Sequence, residues 1–399
     1  MIFSSGFAKL LTASAVGPLF LFMASPVLSR LYSPDQYGVF GVGLTICTTL
    51  SVVLALRFEL VYLKRREKIE NVLAIGLVLI VITSLSSVVL LNLTNAFERV
   101  AIDVDAVFWL LLFSTGLISF YGHMIVAEKD YTTFSKAKIL QSIMQVGAAI
   151  LLGLAGASAG LIWALILAQF LFLFFSYCRR RDGFVFQGAY GFFLKNRVYA
   201  FKNSCAGLFQ FSSPAAPVIL IFYYLGKEDI GFYFFVVQVF SAPAAILRRS
   251  LYHFVTAELS EGSSKQLIRV MLRHKILFIL SLFLVFFAVI ILYFFGADIF
   301  GFVFGGEWAR SGGLAWFVAL YFFIDTAMQP FCSLLALWGK ENLYFGIEVL
   351  RFFLVFFVPI AMIELAGISP SVINICLITY SCMIFIYLFS FACLMGAKK

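Results

Sequence analysis

Residues 33–62 read SPDQYGVFGVGLTICTTLSVVLALRFELVY, and the basic cluster Lys64-Arg65-Arg66 follows. A polar turn opens the stretch. Ser33 and Gln36 have capping-box spacing, and Pro34 stands where the first helical turn tolerates proline. A long, almost uncharged run comes next. At 1.5 Å per residue, about 20 such residues cross the roughly 30 Å hydrocarbon core of a bilayer as a helix. The same unit of polar turn and apolar run recurs to the end of the chain. Spans are predicted near 7–29, 38–62, 71–91, 107–127, 139–156, 160–177, 204–224, 232–252, 274–295, 314–337, 343–363 and 372–394. Hydrophobic residues make up 63% of the 399 and charged residues 12%, with a mean hydropathy of +1.02. A water-soluble fold with that balance would expose one large apolar patch. The fold class is all-α integral membrane, with about 12 transmembrane helices.

Lys and Arg set the expected orientation. They cluster in alternate loops: Lys64 to Lys68, Lys129 to Lys138, Arg179 to Lys202, Lys265 to Lys275, Lys340, and Lys398 with Lys399. The intervening loops hold Arg30, Arg99, Lys227 and Arg310. Basic loops stay cytoplasmic, so both termini are expected inside, as an even number of spans requires. The formal net charge of +9 is mostly this topology signal, and no nucleic-acid partner is expected. The run after Lys9 continues unbroken to Leu28, which reads as an uncleaved first span rather than a signal peptide. The seven cysteines form no CxxC pair, and His123, His253 and His274 form no cluster. No metal, cofactor or catalytic triad is expected.

The chain echoes itself at half-length. The turn Ser33–Phe40 is matched by Gly226–Tyr233, each closing on Gly and an aromatic at the mouth of the next span. Paired prolines precede both turns, Pro18 with Pro26 and Pro214 with Pro217. Arginines end the spans that follow, Arg57 and then Arg248 with Arg249. A third echo joins Lys129–Phe134 to Lys340–Phe345. Six spans per half give parallel repeats, as in one class of secondary transporters. The expected organisation is an N-terminal six-helix lobe over 1–178, a cytoplasmic linker over 179–203 and a C-terminal six-helix lobe over 204–399. The matched prolines read as hinges, since proline removes a backbone hydrogen bond and bends a helix.

Ionisable groups at membrane depth cost a few kcal/mol unless paired or wet. The candidates are Arg57 with Glu59 in span two, Arg248 with Arg249 in span eight, Asp325 in span ten, and Glu348 with Arg351 in span eleven. The arginines read either as snorkelling anchors or as a basic inner cavity suited to a phosphorylated substrate. Glu348 and Arg351, three residues apart, can neutralise each other. Asp325 has no partner at i±3 or i±4, and Arg351 on the next span is its expected one, as a switch or as a permanent bridge.

Leu31–Gly38 followed by Leu56-Arg57-Phe58-Glu59 resembles the first hairpin of bacterial Wzx-type O-antigen and polysaccharide flippases. These belong to the multidrug/oligosaccharidyl-lipid/polysaccharide exporter superfamily. Lys129–Gln141, Leu225–Gly231 and Phe304–Trp308 are similar to further family segments. The resemblance implies two six-helix lobes forming a V around a central cavity. It implies export of undecaprenyl-diphosphate-linked oligosaccharide from the inner to the outer leaflet of the bacterial inner membrane. Arg57 is the position that the resemblance carries over as substrate-binding. From their place in the spans, Arg248, Arg249 and Arg351 are also expected to bind substrate, and Asp325, Glu348 and Glu59 to couple or pair helices. The implied partners are the lipid-linked oligosaccharide, membrane lipids, a proton or other coupling ion, and a polysaccharide polymerase with its chain-length regulator. The related lipid flippases carry arginines in span one, and this chain has none between Lys9 and Arg30. A drug or cation antiporter of the superfamily is the alternative. It would want an acidic residue in the first lobe, and spans one, three, five and six hold none. The longest expected outer loops, near 92–106 and 296–313, are too short for a catalytic domain, so the chain is not expected to be an enzyme.

Overall fold

The computed structural model describes residues 5–65, 69–93, 104–180, 183, 185–187, 189–259, 273 and 275–396. Arg66, Lys68, Arg99, Arg181, Lys265, Arg269, His274, Lys398 and Lys399 lie outside the described residues. Among the described residues every regular element is helical. Eleven helices among the described residues are long and apolar enough to cross a membrane, and Gly17–Leu31 is a shorter apolar segment of the first helix. With that first helix the twelve expected spans are all present.

The chain divides into two compact units, Met1–Ala215 and Ala216–Lys399. In the first, α1 is Ser5–Leu31, α2 Pro34–Leu54, α3 Phe58–Arg65, α4 Ile69–Leu93, α5 Val104–Ala127, α6 Tyr131–Leu154, α7 Gly160–Arg180 and α8 Ala189–Ser212. In the second, α9 is Ala216–Leu225, α10 Lys227–Leu259, α11 Lys275–Phe304, α12 Ala309–Cys332, α13 Leu334–Leu337, α14 Glu341–Glu364 and α15 Val372–Gly396. The expected linker 179–203 thus holds the start of a long helix. That helix packs on α2, α3 and α4, and the division falls inside span seven. A 3-10 turn at Ser213–Ala215, containing Pro214, separates α8 from α9.

Corresponding spans pack alike in the two units. In the first, α2, α4 and α7 lie against α5, and α6 lies against α1 and α7. In the second, α10, α11 and α15 lie against α12, and α14 lies against α9 and α15. Span by span these are the same neighbours, which gives the sequence echo a packing counterpart.

Local chemistry explains where helices start and survive. Ser33 and Gln36 form the capping box at the head of α2, with Gln36 Oε1 2.9 Å from the Ser33 amide. Asp130 caps α6 through the Thr133 amide at 3.1 Å. Pro18 and Pro26 leave α1 a single helix. Pro26 orphans the Phe22 carbonyl four residues back, and the Ser25 hydroxyl donates to that oxygen at 2.6 Å. The proline pairs therefore differ, since Pro214 stands in a break and Pro26 does not. Between α11 and α12, Gly312 faces the backbone of Gly296 so closely that a Cβ would collide with the Gly296 carbonyl. Glycine at both positions lets two backbones meet, the close approach that membrane helices use for packing.

Candidate functional site

In the first unit, span two is broken. After α2 ends at Leu54, the chain turns through Leu56 and Arg57, with φ of 46° and 54°, and restarts as α3. Left-handed residues with side chains cost roughly 1–2 kcal/mol each. A break at membrane depth must also satisfy its backbone. The Leu56 amide donates to Val53 O at 2.8 Å and the Phe58 amide to Ala55 O at 3.1 Å. Thr83 on α4 donates its hydroxyl to Leu54 O at 2.9 Å.

The turn projects Arg57 against α8. A Cβ on Gly207 would lie 2.8 Å from one terminal nitrogen of Arg57 and 2.9 Å from its Nε. The guanidinium therefore rests on bare backbone. Phe211, one turn along α8, covers it at 5.6 Å to the ring centroid. Glu59 stands 3.7 Å from the Arg57 Nη1, and both side chains are largely buried. The Arg57 Nε has no hydrogen-bond partner among the described residues. His123 on α5 lies within electrostatic reach of Glu59, a neighbour that the sequence did not suggest. Sequence reasoning also missed the break, Thr83, Gly207 and Phe211. Only Gly207 leaves a trace, as a small residue inside a span.

In the second unit Asp325 is buried, and the charge that meets it is Arg248, at 2.6 Å from Oδ2. The expected partner Arg351 is instead ion-paired to Glu348 on its own helix. Geometry explains the difference. Arg248 is an interior residue of α10, which runs on to Leu259 and packs along α12, the helix of Asp325. Arg351 and Glu348, three residues apart, meet each other first. Tyr387 on α15 donates its hydroxyl to Asp325. Arg249 is exposed and joins neither cluster.

Tyrosines extend this polar seam. Tyr321, one turn before Asp325, stacks on Tyr380 with centroids 3.9 Å apart and an interplanar angle of 2°. The Tyr380 and Tyr233 hydroxyls are 2.7 Å apart. Tyr344, Glu348 and Arg351 share one face of α14, and Tyr344 hydrogen-bonds Glu348. Spacings of four and seven residues aim these groups inward from their helices. The Arg248 Nε, like that of Arg57, has no hydrogen-bond partner among the described residues.

The two units are thus built differently around their arginines. Arg57 sits at a strained break beside a carboxylate that it meets loosely. Arg248 sits in a continuous helix and closes tightly on Asp325. No group of His, Cys, Asp and Glu able to hold a metal occurs among the described residues.

The model of one family, described as polysaccharide biosynthesis protein, matches residues 27–312. The chain belongs to that family. No curated protein matches it. Among solved structures it is similar to a multidrug resistance MATE family transporter of the MOP superfamily in an inward-facing conformation. That match has 13% identity and a TM-score of 0.55, covering 96% of this chain and 93% of the other. A variant of the Vibrio cholerae MATE transporter VcmN matches with 12% identity and a TM-score of 0.53, covering 98% and 96%. A MOP superfamily transporter from Pyrococcus furiosus matches with 14% identity and a TM-score of 0.50, covering 98% and 96%. At these identities the likeness is one of fold, and it runs the length of the chain.

Proposed function

We propose that this member of the polysaccharide biosynthesis family is a flippase, moving undecaprenyl-diphosphate-linked oligosaccharide repeat units of O-antigen or a related surface polysaccharide. The direction is from the cytoplasmic to the periplasmic leaflet of the bacterial inner membrane. The observation that carries the reading is Arg57. A strained turn presents it, glycine and phenylalanine seat it, and one N–H is left without a partner inside a span. A diphosphate offers the planar pairs of oxygens that a guanidinium binds bidentately. Glu59 at 3.7 Å holds the place until that anion arrives. An arginine with such a lodger can release it cheaply, as a transporter's substrate site requires.

Asp325 is the element we assign to coupling. A carboxylate between an arginine and a tyrosine hydroxyl can exchange partners or take a proton at little structural cost. Lipid-linked oligosaccharide, membrane lipids and a coupling proton or other ion are the partners this reading needs, with a polymerase and its chain-length regulator acting downstream.

The test is a leaflet assay in cells lacking the protein. Restoring the wild-type chain should move lipid-linked oligosaccharide to the outer leaflet. Arg57→Ala at equal abundance should lower that movement sharply, and Arg57→Lys should rescue only part of it. Normal movement with Arg57→Ala would reduce the residue to an anchor and remove the argument.

A further inference from the structure

Lys138 is a basic residue within a span that the reading above does not use. The loop expected around Lys129–Lys138 is mostly helix, since α6 starts at Tyr131. Lys138 is seven residues in, about 10 Å along the axis. It is only partly exposed. A snorkelling lysine would send its ammonium back toward the helix start. This one donates instead to Gln141 Oε1 at 3.0 Å, one turn deeper. It lies 5.0 Å from the ring centroid of Phe172 on α7 and 6.0 Å from that of Phe134. The two rings meet edge-on at 6.0 Å, so they form a corner around the charge.

The corner lacks an anion. Arg57, Arg248 and Arg351 each stand beside a carboxylate. Residues 1–34, 106–127 and 131–181 contain no Asp or Glu, and they include almost all of α1, α5, α6 and α7. Those are the helices packed around α6. Their titratable groups are bases, tyrosines and Cys178, apart from Asp105 at the far end of α5. Asp130, at the head of α6, is occupied as its cap. The nearest titratable groups on α5 are Tyr121 and His123, and His123 is held by Ser119 O at 2.6 Å. The titratable groups of α7 are Tyr177, Cys178, Arg179 and Arg180, none of them acidic. Among the described residues no salt bridge involves Lys138. Rings and one amide leave an ammonium under-compensated in a span. Unlike an arginine, a lysine can resolve this by losing its proton.

We propose that Lys138 is a proton-dependent anion site of the N-terminal unit, holding a phosphate- or sulfate-like group only as the ammonium. The balance is simple. The neutral amine takes one proton from water as the anion binds, and returns it when the anion leaves. Applied to the flippase reading, the anion is the diphosphate or an acidic sugar of the cargo, and a proton accompanies it through this site. The site itself stands on the unit's own charge pattern and is testable without that cargo.

The experiment is calorimetry of sulfate binding to the purified full chain at alkaline pH, in two buffers of different ionisation enthalpy. Sulfate keeps its charge over this range, so any proton taken up belongs to the protein. Wild type should take up close to one proton per bound sulfate. Lys138→Arg should bind with none, because its charge is fixed. Lys138→Gln should bind at least about tenfold more weakly, a loss of about 1.4 kcal/mol. Proton uptake that persists in Lys138→Arg overturns the proposal, and so does wild-type affinity in Lys138→Gln. Because sulfate replaces the lipid, either failure leaves the Arg57 leaflet assay untouched.

Discussion

Exchanging Arg248 for Gln should destabilise the protein more than exchanging Asp325 for Asn, although both break the same 2.6 Å ion pair. Removing one member of a fully buried pair costs roughly 3–5 kcal/mol, because the survivor keeps its desolvation penalty. The Arg248 side chain is 32% exposed and that of Asp325 9%, so the pair is not fully dry. Water access to the guanidinium lowers the expected loss for Arg248→Gln to about 1–3 kcal/mol. Asp325→Asn strands only the half-wet arginine. Its new amide oxygen can still accept from Tyr387, which holds the expected cost to about 1 kcal/mol. The double variant leaves no charge unpaired, so coupling of about 1–2 kcal/mol should appear across the cycle. Thermal unfolding of the purified protein measures all four members, and the leaflet assay runs beside it. If the pair is static, the double variant regains stability and transport together. If it opens during the cycle, as the coupling role requires, stability returns and transport does not. Two results would refute the reasoning. One is additivity of the two single changes. The other is stronger coupling of Asp325 to Arg351 than to Arg248.

Further outcomes follow from the same structure. Thr83→Val removes the hydroxyl that caps the Leu54 carbonyl, and should cost about 1–3 kcal/mol by thermal unfolding. Gly207→Ala places a methyl under the Arg57 guanidinium and against Val52, so it should lower transport as Arg57→Ala does while abundance holds. Gly312→Ala drives a methyl into the Gly296 carbonyl, between backbones that cannot yield, and should reduce the folded protein recovered from membranes several-fold. Reporter fusions should give cytoplasmic signal at 190 and 265 and external signal at 228 and 305, with an external signal at 190 breaking the twelve-span order.

The span pattern was legible because a bilayer forces it. Every crossing needs a long apolar run, and every turn needs polar punctuation, so composition alone carries the signal. Ser33 and Gln36 likewise announced their cap, since a capping box is encoded within four residues. The break at Leu56 and Arg57 was not legible. Neither residue favours a left-handed backbone, and what stabilises the turn, Thr83 and Gly207, comes from α4 and α8. Distant partners of that kind leave no local pattern. Lys138 counts as a loop residue in the sequence but lies in α6, and the reason is the opposite one. Lysine is the topology signal, and a counting rule cannot separate one that marks a loop from one held inside a helix by Phe134 and Phe172.

The pairing of Asp325 shows where sequence distance misleads. Arg351 lies 26 positions away and Arg248 lies 77, yet the more distant residue makes the contact. The next span in sequence is one of several neighbours in a bundle. Here α12 lies against α10, α11 and α15, which brings Arg248 and Tyr387 to the carboxylate together. The repeat supplied the missing information. Spans two and four pack in the first unit, so spans eight and ten should pack in the second, and they do. Arg57 and Arg248 hold corresponding places at the ends of spans two and eight, but span four carries no carboxylate opposite Arg57. The repeat has kept the cation in both units, but a carboxylate facing it from the packed span, Asp325, in only one. One arginine is thereby closed tightly across its helix bundle, and the other meets only the looser Glu59, two residues along its own chain.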